Sequence, residues 1–124
     1  MKDQISIPEI DFEYKLWKNR LDFYEKELTI YRNRILAVKT ENSLLVNDYL
    51  DEIKGLILKI CALKKEIIFH EEEIGCFKKD YPINREHDHY KIRIELKDNL
   101  NVLATEYQTL RQNINDNLSS QIFV

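Results

Sequence analysis

Turn-forming residues are almost missing from this chain. Glycine and proline occur twice each in 124 residues, which excludes a sheet-rich or α/β fold built on many tight turns. Cysteine is equally scarce. Cys61 and Cys76 make neither a C-x-x-C motif nor a disulfide framework, and they read as reduced thiols of a cytoplasmic protein. No apolar run approaches the ~20 residues of a membrane-spanning helix. The first eight residues also lack the apolar core and small-residue cleavage site of a signal peptide. No block of one charge exists either. The 19 basic and 22 acidic side chains are interspersed and leave a net charge of -3. That pattern provides no basic footprint for nucleic acid or an anionic membrane. The sequence contains no P-loop, GxGxxG, HExxH or GxSxG motif, so nothing in it names an enzyme class.

What is present is helical periodicity. Ile7, Ile10, Tyr14, Trp17, Leu21, Tyr24, Leu28, Tyr31, Ile35 and Val38 alternate steps of three and four, the stripe of a long amphipathic helix. Ser6 and Glu9 match a capping box at its start, with Pro8 tolerated in the first turn. A second stripe runs through Val46, Tyr49, Ile53, Leu56, Ile60, Leu63, Ile67, His70, Ile74 and Phe77. A third runs through His89, Arg93, Leu96, Leu100, Leu103, Tyr107, Leu110 and Ile114. The polar stretch at residues 40–43 shifts the heptad phase, and a tight corner capped by Asn42 or Ser43 explains the shift better than a continuous helix. Gly75 suits a helix C′ position, Pro82 bars helix at Tyr81, and Asn84 suits an N-cap.

These signals predict an all-α, up-down-up bundle of three long antiparallel helices at approximately 6–41, 43–78 and 84–118, coiled-coil-like and ~50 Å long. The chain reads as one domain, with loose ends at 1–5 and 119–124. Tyr14, Tyr24, Tyr31, Tyr49 and Tyr107 fall on the core seams, so their hydroxyls need water or cross-helix acceptors. Gly55 sits inside the second helix at a cost of ~1 kcal/mol relative to alanine, which suggests the close approach of another helix.

Two places carry functional expectations. The first is surplus apolar surface. Leu16, Phe23 and Ile30 on the first helix, and Leu58, Cys61 and Ile68 on the second, lie outside the core seams. They are expected to form an interface for a homodimer or for another helical protein. The second is polar. A core layer of His70, Arg93 and one of Glu66 and Glu73 would set register. The cluster of Glu73, Cys76, Glu86 and His89 at the turn between helices two and three has donors suited to a metal. Glu86 and His89 share the i, i+3 spacing of carboxylate-bridged sites, whereas His87 and His89 would diverge on one helix. The expectation is therefore a non-enzymatic structural or interaction bundle needing no cofactor, with a metal-binding or acid/base enzyme as the alternative.

Overall fold

The computed structural model describes residues 4–37, 43–76, 82–84 and 86–122. It is an all-α bundle of three packed helices: α1 (Ile7–Ala37), α2 (Ser43–Ile74) and α3 (Asp88–Ile122). Two short strands, β1 (Gln4–Ser6) and β2 (Pro82–Asn84), close one end as an antiparallel pair with Ile5 opposite Ile83.

Cross-helix polar contacts fix the directions. Lys18 meets Glu71 while Lys64 meets Asp22 and Glu25, so α2 runs antiparallel to α1. The chain thus reverses between Ala37 and Ser43. Asn42, Val38 and Phe77 lie outside the described residues. Arg93 meets Glu13 and Tyr107 meets Glu27, so α3 returns parallel to α1.

The heptad stripes are the core. On α1, every residue of the stripe from Ile7 to Ile35 is buried. On α2 and α3, the apolar seam residues from Tyr49 to Ile74 and from Leu96 to Ile114 are buried with them in one cluster. The capping box at Ser6 forms as its spacing requires. The Glu9 backbone N–H donates to Ser6 Oγ at 3.3 Å, and the Ser6 hydroxyl donates to Glu9 Oε1 at 3.2 Å.

Several boundaries differ from expectation; α1 ends at Ala37 rather than 41 and α2 at Ile74 rather than 78. Residues 4–6 are not a loose leader. They pair with β2, and Ile5 and Ile83 are both buried, so an apolar side chain from each strand covers the core end. Asn84 belongs to β2 rather than capping α3. Its Oδ1 accepts from the Glu86 N–H at 3.0 Å, and α3 begins four residues later. Finally, α3 runs on to Ile122, past the expected end at 118. Leu118 is buried in the core, and Asn115 and Asn117 bond the hydroxyls of Tyr31 and Tyr49. Gly75 follows α2 as expected, but it is not left-handed. Its N–H continues the helical pattern to the Glu71 carbonyl at 3.1 Å.

Candidate functional site

Leu16, Phe23 and Ile30 stand on the outside of α1, 46%, 57% and 50% exposed. Side chains three or four apart share a helix face. Leu16 and Ile30 each follow by three a residue that pairs with α3, Glu13 and Glu27, and Phe23 precedes Glu27 by four. The stripe therefore lies on the flank of α1 nearer α3. Cys61 and Ile68 lie three before and four after Lys64, which pairs with Asp22 and Glu25. They occupy the flank of α2 nearer α1. Cys61 is only half-buried, with its Sγ 3.8 Å from Glu25 Oε1, while Ile68 is exposed. Leu58 is exposed on the outer side of α2. The six expected interface residues thus form separate patches, because α1's own ion pairs to α2 separate its stripe from Cys61 and Ile68. Heptad letters alone carry no information about which flank faces which neighbour.

The polar end is also divided. His70 Nδ1 meets Glu73 Oε1 at 3.0 Å within α2. Arg93 turns instead to α1 and forms a two-pronged pair with Glu13, Nε to Oε1 at 2.9 Å and Nη2 to Oε2 at 3.1 Å. Glu66 is exposed and lines the cleft between α2 and α3. The expected layer of His70 and Arg93 with one of Glu66 and Glu73 forms only as the His70–Glu73 contact, because parallel α1 presents Glu13 to the Arg93 guanidinium. Such a planar fork matches a carboxylate edge. Glu13 had no special signal in the sequence, since its role depends on register between helices 80 residues apart.

Tyr14 lies beside this pair. It is fully buried, and its hydroxyl has no hydrogen-bond partner among the described residues. Burial pushes its pKa up to about 12, against the lowering effect of nearby Arg93. The other seam tyrosines find partners, three of them the expected cross-helix acceptors and Tyr24 a donor on its own helix. Tyr31 donates to Asn115 Oδ1, Tyr49 to the Asn113 carbonyl, and Tyr107 to the Glu27 carboxylate, while Tyr24 accepts from Arg20.

Among the described residues, no three or more His, Cys, Asp or Glu side chains gather in a way that could hold a metal ion. Glu73, Cys76, Glu86 and His89 are all described, so the expected four-residue metal cluster is not assembled. The reason is local. Because α3 starts at Asp88, Glu86 lies in a turn and never shares a helix face with His89. The Cys76 Sγ points back to the Glu72 carbonyl at 3.6 Å. The same late start changes the histidines. His87 precedes the helix, so its ring stacks on that of His89, with centroids 5.5 Å apart, instead of diverging from it. His87 Nδ1 accepts the His89 backbone N–H at 3.1 Å, which caps the helix as Ser or Asp commonly does.

Burial lowers the His89 pKa, with His87 adding to the effect and Glu73 opposing it. Against an ordinary unfolded value of ~6.5, the unfolded chain takes up the proton more readily. The contribution of neutral His89 to stability is then complete above ~6.5 and is lost as pH falls below it. The urea midpoint of the wild type should fall between pH 7.5 and 5.5 by more than that of His89→Gln. Equal falls would remove His89 from the account.

No protein family, curated protein or solved structure matches the chain. No helix among the described residues is long and apolar enough to cross a membrane. Chemically, the site offers exposed apolar side chains on α1 and α2. Its polar end offers helix-capping and ion-pair contacts.

Proposed function

We propose that the chain is a non-enzymatic structural or protein-interaction bundle that self-associates through α1 and α2, with a two-fold dimer as the simplest assembly. One observation carries this reading: Leu16, Phe23 and Ile30 repeat every seven residues along an outer face of α1, all about half exposed. Removing the remaining half of one such side chain from water is worth ~1 kcal/mol, and a row of them on one face is a docking surface rather than scattered surface apolarity. Leu58, Phe69 and Val102 add exposed apolar groups on the other helices. Cys61 and Cys76 are both free thiols, which suits a reducing, cytoplasmic setting.

Light scattering on material eluting from a sizing column tests the face. Wild type should elute as a dimer at tens of micromolar. Phe23→Asp should weaken association about a hundredfold, equivalent to ~2.7 kcal/mol, and shift the peak to monomer mass. Leu58→Asp should weaken it less. A dimer untouched by either substitution would reject this surface.

A further inference from the structure

Ion pairs bridge the three seams between helices unequally. The α1–α2 seam is bridged by Lys18–Glu71 and by Lys64 to Asp22 and Glu25. The α1–α3 seam is bridged by Arg93–Glu13 and Arg111–Glu27. The α2–α3 seam has one ion pair among the described residues, Lys59–Glu106 at 3.2 Å. On either side of that pair the seam opens into two clefts of about 490 and 340 Å³. Small side chains make the room. Gly55 faces Thr105 and Thr109 across the first cleft, and Ala62 faces Asn99 and Val102 across the second. A Cβ built on Gly55 would meet nothing within 4 Å. The expected close approach of another helix at Gly55 therefore does not occur within this molecule, yet the chain bears a glycine's helix cost of ~1 kcal/mol there.

From these features we infer that the α2–α3 cleft is the acceptor for the α1 stripe of a second copy of this chain. The inference rests on the self-association reading and specifies which surfaces meet. Spacing fits first. Gly55 and Ala62 are seven residues apart, ~10.5 Å along the helix, as are successive members of Leu16, Phe23 and Ile30. Phe23, in the middle of the stripe, enters a cleft whichever way the incoming helix runs. Leu58, three residues from Gly55 and four from Ala62, forms an apolar rim. Charge fits as well. Among the cleft residues, Lys59 and Glu106 pair with each other, leaving Glu52 and Glu66 as a net negative lining. On the flank of α1 that bears the stripe, the acids Glu13 and Glu27 are taken up by Arg93 and Arg111. Arg20 and Lys26 are exposed cations on α1.

Complementation between two variants tests the inference. Gly55→Arg/Ala62→Arg fills the cleft and cancels its net negative charge while leaving the α1 stripe intact. Phe23→Ser/Ile30→Ser removes the stripe and leaves the cleft intact. Each alone should sediment as a monomer at concentrations where wild type associates. An equimolar mixture should recover a one-to-one complex, because one stripe and one cleft remain. Circular dichroism checks that each variant is folded. If the arginine pair unfolds the chain, Thr105→Arg/Thr109→Arg blocks the cleft from the α3 wall and carries the same test. A cleft variant that associates like wild type, or two monomeric variants that fail to complement, would overturn this inference while leaving self-association in place. A monomeric wild type would overturn both.

Discussion

Ile60→Ala should lower the unfolding free energy by about 3–4 kcal/mol, with a drop of roughly 10–20 °C in Tm. Leu58→Ala, two residues away on the same helix, should change it by less than ~0.5 kcal/mol. The contrast follows from position alone. Ile60 is 0% exposed at the centre of the shared core, whereas Leu58 is 62% exposed on the outer side of α2. Truncating Ile60 removes transfer free energy and leaves a void that three packed helices cannot collapse around. Truncating Leu58 removes atoms already in water. Chemical denaturation of dilute, monomeric protein measures both. Equal losses at the two positions would contradict the assigned core face of α2.

The second large effect concerns two tyrosines that look alike in the sequence. Tyr107→Phe should destabilise by about 2 kcal/mol, because its hydroxyl donates to the Glu27 carboxylate and a charge-assisted bond of this kind is worth ~1.5–3 kcal/mol. Glu27 also accepts from Arg111 Nε at 2.9 Å, so the substitution loosens a three-residue link between α1 and α3. The ring itself remains stacked on Tyr24, with centroids 4.2 Å apart. Tyr14→Phe should leave stability unchanged or raise it by up to ~1 kcal/mol, since it removes a buried hydroxyl with no partner among the described residues. Paired denaturation curves give the signs. A loss at position 14 as large as that at 107 would mean that the Tyr14 hydroxyl is satisfied after all.

These cases show where sequence information stops. The core was legible because steps of three and four place side chains on one helix face wherever neighbours lie. The whole run from Ile7 to Ile35 is buried accordingly. The strand pair was not legible. Three residues around Ile5 and three around Ile83 show no periodicity, and their pairing joins segments far apart in the chain. The partner of Arg93 was missed for a related reason. A hairpin of α2 and α3 suggests His70 and its glutamates, but the third helix supplies Glu13 in better geometry. The metal-like spacing of Glu86 and His89 depended on a helix starting at Asn84. Strand pairing holds Asn84 and delays the helix to Asp88, which dissolves the motif. At Gly55 the sequence signalled a close approach, and the structure leaves that space open on the molecular surface.

The exposed apolar stripe on α1 is the feature on which the proposed self-association rests. Sedimentation equilibrium of the wild-type chain from 1 to 100 µM, with concentrations spaced about tenfold to resolve the transition, tests this most directly. The weight-average mass should rise with concentration toward about twice the 15.0 kDa of the chain. A mass that stays at 15.0 kDa across the whole range would contradict self-association.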